Sequence, residues 1–132
     1  HEKALLETKN QLSLEKLEKV RKAFQQVNQI DIFALDANAS IGEYMSHNMM
    51  QVGKLSHVYQ SIDKILLYSS LVQKSVVIVI TRMGMDKHLL KAVRSLRMSQ
   101  HFVIVMCANE KSLLKRNSDV FLLCAYKENM HN

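Results

Sequence analysis

Two short polar loops hold the side chains of this sequence that could bind a ligand. The first loop, at 36–40, is Asp-Ala-Asn-Ala-Ser and follows the apolar run at 30–35. The second loop, at 81–86, is Thr-Arg-Met-Gly-Met-Asp and follows the apolar run at 75–80. Each run is typical of a strand, and each loop leads into a helix whose free N–H groups and dipole attract anions. We therefore predict that both loops border one anion-binding crevice.

The residue types in the first loop fit a tight turn from strand to helix. Asp36 and Asn38 belong to the few non-glycine types that tolerate left-handed backbone angles. Ser40 is a favourable N-cap for the amphipathic segment that follows it. We expect the next helix to begin there.

The segments that must position these loops alternate between strand and helix patterns. Short apolar runs predict strands, and apolar residues at steps of three and four predict helices. The predicted strands are 30–35, 55–60, 75–80, 102–107 and 120–125, and the predicted helices are 14–27, 41–52, 62–72, 89–96 and 110–116. Ser13 is the expected N-cap of the first helix, and Gly53 is the expected left-handed residue after the second. Residues 2–11 are predicted to form a helix or the tail of an upstream element.

The strand at 75–80 determines the expected sheet. Its residues 76–80 are five consecutive β-branched residues with no polar face, so this strand should be central and covered on both sides. Strands that alternate with helices through short links form parallel sheets with right-handed crossovers. The predicted fold class is therefore α/β, a three-layer α/β/α sandwich with a five-stranded parallel sheet, doubly wound like flavodoxin, in the order 2-1-3-4-5. Strand 1 is the one at 30–35, and strand 2 is the one at 55–60.

Length and composition limit the possible classes of protein. The chain has 132 residues, of which 48% are hydrophobic, and this fits a single domain over 1–132. No apolar run reaches the roughly 18 residues of a membrane span and no signal peptide opens the sequence, so we expect a cytoplasmic protein without membrane contact. Cys107 and Cys124 lack metal-binding spacing and are interpreted as buried thiols, so no metal or cofactor is expected. The net charge of +6 suits an anionic partner, but it is also usual for a solvated surface.

The order of elements and the polar positions of the two loops resemble the sugar isomerase (SIS) domain. In that family a serine follows a strand in a G-x-G-x-S loop, and a turn of the form S-x-S-G-x-T-x-E follows the next apolar strand. The long first helix and the residues around Gly53 are most similar to the version in RpiR-type bacterial transcriptional regulators. The resemblance extends over 5–123 and implies an SIS-like fold with a helix-turn-helix domain upstream of His1. The family's C-terminal segment normally continues further than Asn132, so the C-terminal end is expected to be truncated.

The resemblance also implies a site for the phosphate of a phosphorylated sugar on the two loops. The residues that it assigns to this ligand are Asn38, Ser40, Thr81, Arg82, Gly84 and Asp86. Ser40, Thr81 and Gly84 keep the family pattern. Hydroxyls and backbone amides are the donors that a phosphate needs, so we expect binding to depend on Ser40 and Thr81.

Other loop positions depart from the family pattern. Asp36 and Asn38 replace two glycines, and Met83 replaces a hydroxyl donor. A carboxylate at Asp36 or Asp86 would repel a phosphate, at a cost that rises as water is excluded. Arg82 could compensate by a bidentate contact, or it could equally point to solvent. We therefore expect weak or altered binding of phosphorylated sugars.

Residues for acid–base catalysis are sparse. Sugar-phosphate isomerisation needs a carboxylate or imidazole near the carbon acid and a second acid near the oxygen. The candidate bases are His47, His57 and His88, of which His88 occupies the position of the family's glutamate. His47 and His57 are interpreted as surface or interface residues, and one imidazole without a second acid makes no isomerase. We predict no catalytic residue and no enzyme activity.

A row of basic residues at helical spacing follows the second loop. It consists of Lys87, Lys91, Arg94 and Arg97. We interpret the row as a solvated helix face, and the alternative is a contact with DNA phosphates. No DNA-binding motif occurs in these 132 residues, so sequence-specific recognition of DNA would require the missing N-terminal domain.

Three functional hypotheses remain. The preferred one is the effector-sensing and dimerisation domain of an RpiR-type transcriptional regulator, with a phosphorylated sugar as effector. The alternatives are a sugar-phosphate isomerase, or a fragment of one, and a structural dimerisation domain whose ligand site has decayed. A homodimer is expected because the helix with Met45, Met49 and Met50 and the segment with Leu5 and Leu6 offer more apolar surface than one small sheet can cover.

Overall fold

The computed structural model describes residues 6–8 and 13–126 of the chain. In chain order, its elements are β1 (Leu6–Thr8), α1 (Leu14–Gln25), β2 (Ile30–Ala34), α2 (Ala39–Gln51), β3 (Val58–Tyr59), α3 (Ile62–Leu71), β4 (Val76–Thr81), α4 (Lys87–Met98), β5 (Phe102–Cys107), the 3₁₀ helix η1 (Lys115–Asn117) and β6 (Val120–Tyr126). Strands and helices alternate from β2 to β5, as the apolar patterns predict.

The strands form one sheet in the order β1-β6-β5-β4-β2-β3. From β2 to β6, every neighbouring pair is parallel. This confirms the predicted order 2-1-3-4-5 of the parallel strands. β4 lies between β2 and β5, and all six of its residues are buried. A strand without a polar face is stable only in such a position, where helices cover both of its sides.

Two apolar clusters cover the two faces of the sheet. On one face, residues of α3 and α4 pack against Phe33, Val77 and Val103. On the other face, residues of α1 and α2 pack against Ile32 and Ile78. Neighbouring strand residues thus enter opposite clusters, as the pleat of a strand requires. This arrangement confirms the predicted three-layer sandwich.

The outermost strand, β1, corrects the expectation of a helix at 2–11. Residues Leu6, Glu7 and Thr8 pair antiparallel with Tyr126, Ala125 and Cys124 of β6. The outer edge of β6 would otherwise present unpaired backbone N–H and C=O groups. An extended segment satisfies them, and this long-range pairing leaves no local periodicity in the sequence. The remainder of 2–11 lies outside the described residues.

The segment at 110–116 is also not the predicted helix. It consists of turns followed by the three-residue 3₁₀ helix η1. Side chains compete with the backbone here: Oδ1 of Asn109 accepts from the N–H of Lys111 at 3.0 Å, and Oγ of Ser112 accepts from the N–H of Leu114 at 3.0 Å. Asn and Ser favour such turns over regular helix.

Details at the helix ends follow the sequence in most places. Oγ of Ser13 accepts from the N–H of Lys16 at 3.2 Å, which confirms it as the N-cap of α1. Gly53 follows α2 with a φ of +90° and confirms the left-handed residue.

The apolar stripe of α1 contacts the core only from Val20 onward, because Leu14 is 84% exposed and Leu17 is 48% exposed.

Candidate functional site

The first polar loop turns sharply between β2 and α2. Asp36 and Ala37 have left-handed backbone angles, with φ of 56° and 65°. Asn38 has a φ of −94°, and its side-chain amide donates to the carbonyl of Leu35. Of the two residues whose types tolerate left-handed angles, Asp36 adopts one and Asn38 does not, because Ala37 occupies the second left-handed position of the turn.

Ser40 is not the N-cap of α2, which is a second correction in this loop. The helix begins at Ala39, and its N-cap is Asn38. The side chain of Asn38 makes no capping hydrogen bond because it is drawn back onto Leu35, where it holds the turn closed. Ser40 lies exposed in the first turn of the helix.

The carboxylate of Asp36 connects the first loop to the second. Its Oδ2 accepts a hydrogen bond from Oγ1 of Thr81 at 2.5 Å and one from the backbone N–H of Arg82 at 3.1 Å. Thr81 is buried and is the last residue of β4, so its hydroxyl lies at a strand end. Two donors of the kind that an anionic ligand needs therefore already bind a carboxylate of the protein itself.

A second carboxylate occupies the start of α4. Asp86 is the N-cap, and its Oδ1 accepts from the N–H of His88 at 2.8 Å. It thereby satisfies one of the free N–H groups that make a helix N-terminus attractive to anions. Oδ1 of Asp63, on α3, lies 3.6 Å from Nε2 of His88, and both of these side chains are more than half exposed.

A cavity of about 690 Å³ lies between these groups, at the carboxyl ends of β2 and β4. Its volume is within the range of small-molecule sites, and its position is where open parallel sheets bind ligands. Residues 81–86 form one wall, and Leu35, Asp36 and residues 60–63 form the other. The charged groups that line it are the carboxylates of Asp36, Asp63 and Asp86, the guanidinium of Arg82 and the titratable ring of His88. Carboxylates therefore outnumber the cationic groups.

The cavity brings together four of the six residues predicted to bind the ligand. They are Thr81, Arg82, Gly84 and Asp86. Asn38 and Ser40 do not line it, although Asn38 borders a much smaller hollow beside Thr81. Of the two polar loops, the second therefore lines the cavity throughout and the first contributes only Asp36, whereas the helix start of α2 lies outside it.

Gly84 has a structural role that its place in a motif does not reveal. Its φ is +63°, and a Cβ at this position would lie 2.2 Å from Oγ of Ser112. That hydroxyl donates to the carbonyl of Gly84 at 2.9 Å, and the N–H of Leu113 donates to the same carbonyl at 3.0 Å. The second loop is thus fixed against the segment that follows β5.

Residues 60–63 line the cavity but are absent from the sequence-based prediction. They follow β3, which is only two residues long, so the strand end that would mark a site is weak. The available signal was Ser61, the N-cap of α3, whose Oγ accepts from the N–H of Lys64 at 3.4 Å. The same helix start would also have indicated Asp63, which lies in the first turn of α3.

The other candidate bases lie away from the cavity. His47 is exposed on α2. His57 contacts Asp31 through its backbone N–H at 3.0 Å and its Nδ1 at 3.2 Å. Asp31 is near the amino end of β2, so this contact lies at the end of the sheet opposite to the cavity. Neither histidine lines the cavity beside Thr81.

A buried polar network holds this opposite end of the sheet together. Asp31 is fully buried and accepts from Oη of Tyr68 at 2.5 Å, and Oη of Tyr68 lies 3.0 Å from Oγ of Ser75. Burial raises the pKa of Tyr68, and the hydrogen bond to Asp31 raises it further. The N–H of Ser75 donates to Nδ1 of His101 at 3.1 Å, and burial lowers the pKa of His101. The network is therefore structural.

The cysteines are buried, and the potential metal ligands of the described residues form no cluster. Cys107 and Cys124 are buried thiols outside any disulfide, which confirms the sequence-based interpretation. Within residues 6–8 and 13–126, no three His, Cys, Asp or Glu side chains are grouped so as to hold a metal ion. The same part of the chain contains no helix with the length and apolar character needed to cross a bilayer.

The sequence matches the family model of the SIS domain over residues 23–131. The chain belongs to the SIS domain family. A comparison of the sequence with curated proteins gives no significant match. The predicted family is thus confirmed, and the loops at 36–40 and 81–86 both lie within the matched region.

Solved structures of regulators and sugar-phosphate-binding proteins share this SIS fold. The RpiR transcription factor of Sphaerobacter thermophilus (sugar isomerase domain) is similar with a TM-score of 0.78 and 14% identity, over 93% of this chain and 70% of that one. The NanR protein of Vibrio vulnificus, complexed with ManNAc-6P, gives 0.74 and 16%, over 89% and 45%. Protein c3406 of E. coli CFT073, in complex with a phosphorylated sugar, gives 0.73 and 18%, over 92% and 66%. At these identities the likeness shows a common fold, and this chain spans less than half of NanR.

Proposed function

We propose that this SIS domain is the effector-sensing and dimerisation domain of an RpiR-type transcriptional regulator, with a phosphorylated sugar as effector. The observation that carries the proposal is the cavity at the carboxyl ends of β2 and β4, lined by Thr81, Arg82 and Gly84. Its position and volume suit a small ligand. Two similar structures also support the proposal. NanR was solved in complex with ManNAc-6P, and c3406 was solved in complex with another phosphorylated sugar.

The phosphate binds, in this proposal, to the N–H of Arg82 and the hydroxyl of Thr81. Both donors now contact Asp36, so the ligand must displace this carboxylate. Displacement is feasible because Asp36 is exposed and its side chain has solvent on one side. Since Asp36 belongs to the turn that leads into α2, its release would alter the contact between that turn and β4.

This coupling provides a route from ligand to assembly. We propose that α2 contributes to a homodimer interface, because Tyr44 is 63% exposed and Met50 is 51% exposed on its outer surface. Contact with DNA is assigned to a helix-turn-helix domain upstream of residue 1, and a cytoplasmic location follows from this role. Displacement of the Asp36 side chain by the ligand would then affect the dimer interface directly through α2, because Asp36 lies in the turn before this helix.

A second candidate function is sugar-phosphate isomerisation, and one observation favours it. His88 lines the cavity with Asp63 3.6 Å from its Nε2, which supplies the second acidic group that the sequence lacked. Both side chains are more than half exposed, however, and general acid–base catalysis needs groups that are held in place near the reacting atoms. The sensing function is therefore preferred.

Calorimetric titration with a panel of hexose and amino-sugar phosphates tests the proposal. At least one compound should bind to the parent chain, and Thr81→Val should weaken that binding by about tenfold because a hydrogen bond to a charged group is lost. Ser99→Ala, a hydroxyl deletion on the exposed end of α4, is the matched control and should change nothing. Failure of every compound to bind at millimolar concentration would contradict the sensing function, and turnover of one of them would favour the isomerase.

A further inference from the structure

A second cleft lies between α4 and the segment 110–117 that follows β5. It encloses about 480 Å³, which is also within the range of small-molecule sites. Its charged lining consists of Arg94, Lys111, Lys115, Arg116 and a single carboxylate, Glu110. Four cations against one anion leave the cleft strongly positive, in contrast to the cavity beside Thr81, where carboxylates predominate.

The cations of this cleft form no ion pairs within the described part of the chain. Arg97, on the same helix, forms an ion pair with Asp119 at 3.1 Å. Among residues 6–8 and 13–126, none of the four cleft cations forms such a pair. Nε of Arg94 instead donates to Oδ1 of Asn117 at 3.3 Å, and Asn117 donates to the carbonyl of Leu113 at 3.1 Å. These bonds connect the guanidinium of one wall of the cleft to the other wall.

The chemistry of the lining indicates what the cleft binds. Guanidinium groups bind phosphate oxygens bidentately, and lysines act as point charges beside them. Arg94 comes from α4 and the other three cations come from the segment 110–117, so both walls of the cleft carry positive charge, as a ligand with several charges requires. Among the residues that the structure describes, no aromatic side chain lines the cleft, which leaves none of them to stack on a nucleobase. We propose that this cleft is an anion site for a small compound that carries two or more linked phosphates.

The cleft is connected to the cavity through hydrogen bonds. The segment that lines the cleft also contacts the second loop: Ser112 and Leu113 both donate to the carbonyl of Gly84, and Nδ2 of Asn109 donates to the carbonyl of Met83 at 3.0 Å. A ligand that holds 110–117 therefore also restrains residues 83–84. Any effect of one site on the affinity of the other must be reciprocal. The cleft itself shares no side chain with the sensing proposal, so the two stand or fall separately.

Calorimetry with tripolyphosphate at about 150 mM salt tests the site. The parent chain should bind one equivalent, and the triple variant Lys111→Gln/Lys115→Gln/Arg116→Gln should bind at least about tenfold more weakly, because several charge-assisted hydrogen bonds are lost. The matched control is Lys19→Gln/Lys22→Gln/Lys74→Gln, which removes the same charge from exposed positions elsewhere and should stay within about twofold of the parent. Circular dichroism at increasing temperature confirms that both variants fold.

Three results would overturn the proposal. The first is no binding of tripolyphosphate by the folded parent chain at millimolar concentration. The second is an equal loss in the two triple variants, which would mean that only overall charge matters. The third is that a random-sequence DNA duplex binds through the cleft residues and that tripolyphosphate does not displace this DNA. The occupant would then be nucleic acid.

Discussion

Replacing Asp36 by Asn should increase the affinity of this domain for a sugar phosphate. Asn keeps an oxygen that can accept from Thr81 and from the N–H of Arg82, and it tolerates the left-handed φ of 56° at this position. The substitution removes the negative charge and leaves the turn unchanged. Any gain in affinity can therefore be attributed to electrostatics.

The size of the effect follows from the geometry of the loop. A phosphate on the N–H of Arg82 would stand beside the carboxylate that now occupies this donor at 3.1 Å. Two like unit charges about 4 Å apart repel by about 1 kcal/mol in water and by about 4 kcal/mol at an effective dielectric constant of about 20. Asp36 is exposed, so the value lies between these limits. The expected gain is between about fivefold and about a thousandfold in Kd.

Calorimetric titration of the parent chain and of Asp36→Asn with the same sugar phosphate measures this gain. Asp63→Asn is the control, because its carboxylate is 85% exposed on α3 and should matter less. The gain should also shrink at high salt, which screens exposed charges. If the parent binds tightly and Asp36→Asn leaves the affinity unchanged, the phosphate does not use the N–H of Arg82 and the reasoning is refuted.

Three further predictions concern stability and assembly. Gly84→Ala should lower the free energy of unfolding by about 2 kcal/mol or more, and by more than Gly53→Ala, because both have positive φ but only Gly84 would also clash with a neighbour; urea unfolding of the two variants checks this, and equal losses would contradict it. Because burial lowers the pKa of His101 below 6.5, the native state binds fewer protons than the unfolded state, so stability should be full above about pH 6.5 and should fall as the pH is lowered through the folded-state pKa; His101→Gln should flatten this dependence, and the exposed His47→Gln should not. Sedimentation at tens of micromolar should show a dimer that Met50→Lys weakens, and a parent chain that sediments only as a monomer would exclude this interface.

The sheet could be predicted because its strongest signals are local. Residues 76–80 are all β-branched, and a strand without a polar face has to be central and covered on both sides. β1 could not be predicted, since three residues without a pattern become a strand only through pairing with β6 more than a hundred positions away. The apolar spacing at 110–116 suits a helix, but turns form there because the side chains of Asn109 and Ser112 accept hydrogen bonds from backbone N–H groups.

Part of the site could be predicted because its signals are also local in the sequence. Strand ends can be found from the sequence, so the loop with Thr81 and Gly84 was placed on the crevice. The bond between Asp36 and Thr81 joins residues 45 positions apart, and no spacing rule indicates which donors a carboxylate will take. The residue type of Ser40 predicts a helix start there, whereas the turn makes Asn38 the N-cap.

The central claim is that a sugar phosphate binds at the end of β4 and displaces Asp36. A titration of the isotope-labelled chain followed by ¹H–¹⁵N correlation spectra tests it most directly, because the backbone N–H of Arg82 now donates to that carboxylate. We predict that the largest shifts on adding the ligand occur at Arg82 and Gly84, and that Asp36→Asn reproduces part of the Arg82 shift without ligand. Ligand-induced shifts confined to residues outside 36 and 81–86 would contradict the account.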